Sequence, residues 1–317
     1  MFHFKSNILP QDISEILSLR YATNQKLVFS KLTPADFPST NTSPSADEIE
    51  QILQSYIKET IPKTSNVSIA LSGGVDSTIA LAMLSNVDLD LKIDSLSIKF
   101  SNSVDETILA SKIAERFNVD HRVIYLENYL EELPKAISII GLPFWDLHFY
   151  HVVKNSKPRS DILISGDGGD ELFGGYTFRY QKFLSLVTSG SSPQEKTEAY
   201  LKCHERDWVP DQDNIFQKKT EFSWNEVHAR FQPFFENTLS LLNQVFLADY
   251  NGKLLYNFSI IAKKINHFFN LNPITPIIDK KLISYATHLP PESKYDVKHN
   301  IGKIPLRKLL SKYICFK

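Results

Sequence analysis

Leu71-Ser72-Gly73-Gly74-Val75-Asp76-Ser77 is the stretch whose reading decides the fold. Before it, Val67, Ile69 and Leu71 alternate with smaller residues, the pattern of a strand ending at a turn. After it, Ser77 to Leu84 is rich in Ile, Leu, Ala and Met, the pattern of a buried helix. Strand, glycine turn and helix together aim N–H groups and a positive dipole end at an anion. Gly73 and Gly74 take backbone angles that side chains resist and let the anion come close. Ser72 and Ser77 add hydroxyl donors. The turn holds no lysine and does not fit G-x-x-x-x-G-K-[ST]. It carries Asp76 instead. An acid beside a phosphate cradle needs a cation between the two, which implies Mg²⁺. The alternative is an ordinary Gly-Gly turn.

A second run narrows the choice. Asp161 to Ile164 reads as a short buried strand, and Ser165-Gly166-Asp167-Gly168-Gly169-Asp170-Glu171-Leu172-Phe173-Gly174-Gly175-Tyr176 follows it. Asp167, Asp170 and Glu171 crowd into five positions, which destabilises a fold unless a metal or proton compensates. A solvated acidic loop would not need the glycines around them.

These two runs resemble the synthetase domain of class B asparagine synthetases, within the ATP pyrophosphatase or PP-loop superfamily. The first run is shared across that superfamily, and the second is far more specific to the asparagine synthetases. Leu96 to Phe100 resembles the family's second strand, which lines the adenine pocket. Pro143-Phe144-Trp145-Asp146 resembles its substrate-side loop, and Gly302 to Arg307 resembles the segment with its essential lysine. The resemblance implies ATP and Mg²⁺ as cofactors. Leu71, Ser72, Gly73, Gly74, Asp76, Ser77, Ile98 and Gly166 would bind the nucleotide. Asp76 and Asp170 would hold the metal with pyrophosphate. Asp167 and Lys303 would be catalytic, the first relaying a proton and the second neutralising developing negative charge. Turn-capping is the alternative role for Asp167, and a solvated position in a basic tail for Lys303. Asp146 and His148 would face the acyl substrate; for His148 a purely structural role competes. His121 is expected to be structural.

Three readings follow. The first is an ATP-dependent ligase, similar to asparagine synthetase, that adenylates aspartate or a related acid, releases pyrophosphate and passes the acyl group to ammonia or another amine. The second is a relative acting on a different acid, including ring closure of the β-lactam synthetase kind. The third is a non-catalytic nucleotide-binding protein. The residues before Leu71 are too few for the family's glutaminase domain, so a separate glutaminase or an amine-carrying partner would be the nitrogen source if ammonia is not free. Leu142 stands where the family has an acid, and Leu147-His148-Phe149-Tyr150 replaces small residues, which points away from aspartate as the acid. Ile261 to Lys264 and Asn272 to Thr275 stand where the family has a Met-Asp-Arg segment and a Glu-x-Arg segment.

Composition fits an enzyme: 317 residues, 42% hydrophobic and 22% charged. No apolar run approaches the about 18 residues that span a membrane. Two cysteines, Cys203 and Cys315, fit a reducing, cytoplasmic compartment. The net charge of −1 hides an asymmetry: residues 251–317 carry 12 Lys and Arg against 3 Asp and Glu. No RNA-binding module accompanies that basic stretch, which argues against a nucleic-acid partner.

The chain divides into an N-terminal segment and linker (1–45), an ATP-binding α/β domain (46–185) and a mostly helical region (186–317) that completes the cleft. Alternating strand and helix signals predict a parallel sheet with helices on both faces. Both glycine runs then fall beyond the strand C-termini, where such sheets bind ligands. Leu109, Ile113 and Phe117 predict one buried helix face, and Leu130, Leu133, Ile137 and Ile140 another. Tyr21 to Leu32 is expected to be a remnant of the absent domain's last strands.

Overall fold

A computed structural model of the chain describes residues 9–39, 42–100, 105–143, 147–215 and 222–314. Its centre is a five-stranded sheet of β1 (Thr64–Ala70), β2 (Asp90–Phe100), β3 (Asp120–Leu126), β4 (Ile162–Ile164) and β5 (Asn272–Ile274). The order is β3-β2-β1-β4-β5 and every pairing is parallel. The helices are α1 (Pro10–Leu19), α2 (Ala46–Thr60), α3 (Val75–Asn86), α4 (Thr107–Arg116), α5 (Leu133–Ile140), α6 (His148–Ser156), α7 (Gly169–Phe173) and α8 (Thr177–Leu186). They continue as α9 (Pro193–Cys203), α10 (Gln212–Ile215), α11 (Trp224–Phe235), α12 (Leu241–Asp249), α13 (Ser259–Phe268), α14 (Lys280–His288), α15 (Pro291–Lys294) and α16 (Ile304–Leu310).

The period-two pattern puts alternate strand residues into two separate cores. Val67, Ile69, Ile162 and Ile164 face one side, with α2, α3 and α16 packed over them. Leu96, Ile98 and Leu163 face the other, covered by α5, α6 and the end of α13. Helix α2 shows the local logic. Ser45 caps it by accepting from the Glu48 N–H, and Ile49, Leu53 and Ile57 recur every fourth residue on its buried face. Helix α3 is apolar nearly all round because it lies between the sheet and the outer helices. A third core, built on Tyr180, Phe183, Tyr200, Phe231, Phe235 and Phe246, holds the helices after α7 together.

Three expectations need correction. Leu109 is 46% exposed, because Ala110, Ile113 and Ala114 make the inner face of α4 and their small size lets the helix lie close to the sheet. Leu130 stands in a turn before α5, 55% exposed. Tyr21 to Leu32 form no strand. The backbone of Leu32 is satisfied by a side chain: Asn251 accepts from its N–H and donates to its carbonyl, both at 2.9 Å. Tyr21 stacks on Tyr256, which ties the segment to the helical region. Residues 33–39 are likewise anchored, since Phe37 is buried in the third core. The region read as helical also supplies β5, whose Pro273 sits at the open edge of the sheet, where a missing N–H is tolerated.

Lys294 is buried among aromatic rings, with Nζ 4.3 Å from the Phe246 ring centre and donating to the Ala286 carbonyl at 3.0 Å. Burial pushes its ammonium down to about 7. Between that value and the ordinary 10.5, the unfolded chain binds more protons than the folded one, so stability rises with pH across this window. Lys294→Met should remove a slope of up to ~1.4 kcal/mol per pH unit and raise stability at pH 7. Urea unfolding of both proteins at pH 7, 8 and 9 checks this; parallel pH dependences would contradict it.

Candidate active site

The site is assembled where β1 and β4 end. The turn after β1 leads into α3, with Gly73 at φ +78° and Gly74 as the N-terminal cap at φ −70°. Only Gly73 therefore uses the left-handed region; Gly74 is extended, contrary to the expectation for both. The serine hydroxyls shape the turn. Ser77 Oγ accepts from the Ser72 N–H and Ser72 Oγ from the Gly74 N–H, both at 3.2 Å. The first N–H groups of α3 have no partner within the helix and point along its axis into the cleft.

The turn after β4 places Asp167 and then opens α7 with Asp170 and Glu171. Helix α16 packs on α2 and α3, which returns Gly302-Lys303 to the first glycine turn across more than two hundred residues. Lys303 Nζ lies 2.6 Å from Asp76 Oδ2 and 2.7 Å from Asp170 Oδ1. Its backbone adopts φ 56°, unusual for a side-chain-bearing residue, and is held there by an N–H bond to the Phe173 carbonyl at 2.9 Å. Close approach explains two glycines here. A Cβ on Gly169 would fall 2.3 Å from the Asp76 carboxyl, and one on Gly175 would fall 1.8 Å from Asp170 Oδ1.

One cation, Lys303, serves two carboxylates with Asp167 close by, so the cluster is rich in negative charge. Burial raises Asp76 to about 6, with Lys303 opposing the shift and Asp170 and Asp167 adding to it. Burial also raises Asp167, against a hydrogen bond from Ser165 and the nearby His148 ring. Burial would lower Lys303, but Asp76 and Asp170 outweigh it and hold the ammonium above its ordinary value. Asp76 Oδ1 is buried without a hydrogen-bond partner. A carboxylate oxygen in that condition, beside a second carboxylate, suits a hard cation. Among the described residues no group of three or more His, Cys, Asp or Glu converges as a metal cage. Two carboxylates are nonetheless what Mg²⁺ takes when substrate phosphates and water complete its shell. Asp76 and Asp170 fit that role.

A cavity of about 230 Å³ opens beside this cluster. Leu71, Ser72, Asp76, Ser77, Ile98, His148, Gly166, Asp167 and Asp170, all singled out by sequence, line it. Gly73 and Gly74 shape the turn behind it, and Lys303 reaches it through the two acids. Asp146 lies outside the described residues, as does Cys315. His148 begins α6 and meets Phe100 edge-on at 6.4 Å. His121 sits in the sheet instead, with Nδ1 2.8 Å from Ser95 Oγ, and burial lowers its pKa. Cys203 is buried, and burial pushes its thiol up to about 12.

Sequence reasoning missed Lys253. The helix from Leu241 to Phe268 widens into π-type turns over Tyr250–Phe258, which swings Lys253 toward α7. Lys253 Nζ donates to Tyr176 Oη at 2.5 Å, and the Tyr176 hydroxyl donates to Glu171 Oε1. Burial raises Glu171 to about 7, with Lys253 opposing. Tyr176 and Glu171 belong to the second glycine run, but nothing in the spacing marks Lys253 among its neighbouring lysines.

Fold and site together define a doubly wound α/β protein with a glycine turn facing a paired-acid cleft. The chain belongs to the asparagine synthase family, whose model matches residues 48–314. It is 25% identical over 297 residues to asparagine synthetase [glutamine-hydrolyzing] 1 of Bacillus subtilis, covering 83% of this chain and 45% of that protein. It is 31% identical over 135 residues to putative asparagine synthetase [glutamine-hydrolyzing] 2 of Methanocaldococcus jannaschii, covering 41% of this chain and 26% of that one. The chain thus spans less than half the length of these curated relatives. Among solved structures, NMN synthetase from Francisella tularensis aligns over 71% of this chain and 93% of its own, with 15% identity and a TM-score of 0.32. No helix among the described residues is long and apolar enough to cross a membrane.

The ion cluster makes a prediction that needs no turnover. Lys303→Met leaves Asp76 buried beside Asp170 without its cation, which should cost about 3 kcal/mol of stability. Mg²⁺ should restore much of that loss while raising the wild-type melting temperature far less. Thermal unfolding of both proteins with and without millimolar Mg²⁺ checks this. An equal metal effect on both would remove the cluster as a cation site.

Proposed function

We propose that the chain is an ATP-dependent ligase that adenylates a carboxylic acid and transfers the acyl group to ammonia or another amine. The observation that carries this reading is the meeting of Asp76 and Asp170, one from each glycine run, on Lys303 at the mouth of the cleft. Membership of the asparagine synthase family supports it.

The chemistry follows from charge. A carboxylate acylates poorly; attack of its oxygen on the α-phosphorus of ATP forms an acyl-adenylate and expels pyrophosphate. The leaving group gains negative charge, so oriented donors dominate the stabilisation. The turn from Ser72 to Ser77 and the N-terminus of α3 cradle the polyphosphate. Leu96, Ile98 and Ala70 offer an apolar wall to the adenine. Mg²⁺, held by Asp76 and Asp170, would neutralise the pyrophosphate. Lys303, released from its two acids, follows the charge on the α-phosphate. Asp167, with its raised pKa, takes up the proton that the amine loses on attacking the acyl carbon. The amine comes from solution or from a separate partner, including a glutaminase. The bulk of Phe149 and Val152 beside His148 supports an acid other than aspartate.

Two outcomes are expected. ATP should yield AMP and pyrophosphate in step with acid consumption; stoichiometric ADP and phosphate would overturn the assignment. Lys303→Ala should lower kcat by roughly a hundredfold, about 3 kcal/mol, with a smaller change in ATP affinity. Wild-type turnover in that variant would place the chemistry elsewhere.

A further inference from the structure

A second cavity, of about 200 Å³, lies behind the cleft and carries a charge pattern that the reading so far does not use. Arg20, Arg179, Arg206 and Lys253 line it, and no Asp or Glu does among the described residues. Four separate parts of the chain supply these cations: the end of α1, helix α8, the loop after α9, and the π-type turns before α13. Arg179 Nε and Nη1 are buried with no hydrogen-bond partner. Arg206 spends Nη1 on the neighbouring Glu205 carbonyl. Three buried acids stand nearby and each is engaged: Asp249 by Tyr200 at 2.8 Å and His204 at 3.0 Å, Glu171 by the Tyr176 hydroxyl that also accepts from Lys253, and Glu15 by the Thr23 hydroxyl at 2.9 Å. Leaving the buried Nε and Nη1 of Arg179 without partners is costly, and the planar fork of a guanidinium matches an oxyanion. Crowding is visible in Arg206, which burial first, and then Arg20 and Arg179, pull down to about 10.

The two cavities adjoin. Phe258 lines both. Tyr176 lines the cleft, and its ring has Arg179 Cζ at 4.4 Å and Lys253 Nζ at 4.2 Å. Tyr176 and Phe258 thus stand where the two cavities meet. Arg20 precedes the residues matched by the family model, so the pocket depends on a part of this chain that the family model does not cover.

We propose that this cationic pocket holds a second anionic group, a carboxylate or a phosphate, of the acid activated in the cleft. The proposal rests on the adenylation reading and specifies its substrate class: an acid with a further oxyanion beyond the reacting carboxylate. Guanidinium groups around the pocket, Arg179 first, favour phosphate, which offers more charge and more acceptor oxygens than a carboxylate.

Two measurements on the full chain test it. The first is calorimetric titration with inorganic phosphate and, separately, with succinate, on wild type, Arg179→Gln and Arg206→Gln, each checked for native melting. Saturable binding to wild type, at least tenfold weaker in both variants, is expected, and the tighter of the two ligands identifies the oxyanion. The second is acid-dependent exchange of labelled pyrophosphate into ATP, using monocarboxylates, dicarboxylates and phosphorylated carboxylates. Exchange should require the second anion. Arg179→Gln should raise the KM of the acid at least tenfold and leave the KM of ATP unchanged. Exchange that is indifferent to the second anion and to Arg179→Gln would overturn this proposal and leave adenylation standing. Phosphate binding that depends on Arg179, with no exchange for any acid, would overturn the adenylation reading and this proposal with it.

Discussion

Lys303, held between Asp76 and Asp170, is the interaction on which the rest of the site depends. Each acid belongs to a different glycine run, and the lysine arrives from the last helix. Charge alone would drive the two carboxylates apart, since both stand partly out of water where repulsion is weakly screened. The ammonium joins them, and the close-fitting Gly169 and Gly175 leave room for nothing larger. The same geometry places a positive charge beside the cleft, 2.6 Å from Asp76 and 2.7 Å from Asp170.

The sheet makes this meeting possible. Parallel β1 and β4 are adjacent although many residues separate them, so their C-terminal turns emerge side by side. Packing of α16 on α2 and α3 closes the circuit, because Leu306, Leu309 and Leu310 are fully buried against those helices. The position of the catalytic candidates is thereby tied to core packing, and the left-handed backbone of Lys303 is a local strain that this packing can sustain.

Much of this was legible in the residues because glycines and acids at fixed spacing have few other uses. Both turns and the parallel α/β sheet follow from motif chemistry and resemblance, and Asp76, Asp170 and Lys303, named there as site residues, stand together in the structure. What escaped was set by contacts distant in sequence. Lys253 is indistinguishable from other lysines of a basic stretch until the widened helical turns aim it at Tyr176. The cationic pocket needs Arg20, Arg179 and Arg206 to converge from three elements, and no local pattern encodes that. Leu109 shows the converse error. Its spacing fits a buried face, yet the inner face of α4 is made by alanines, and Leu109 instead lies against Gly73, within 3.0 Å of where a Cβ would stand. Periodicity reports which residues share a face, not which face is turned inward.

The central claim is that the cleft activates a carboxylate by direct attack on the α-phosphorus of ATP. The most direct measurement uses an acid substrate with ¹⁸O in its carboxyl group and follows the label by mass spectrometry after turnover with an amine. Attack at the α-phosphorus predicts one ¹⁸O atom in AMP for each amide formed, with none in pyrophosphate. Label appearing in inorganic phosphate, with ADP as the nucleotide product, would mean an acyl-phosphate route and would contradict the account.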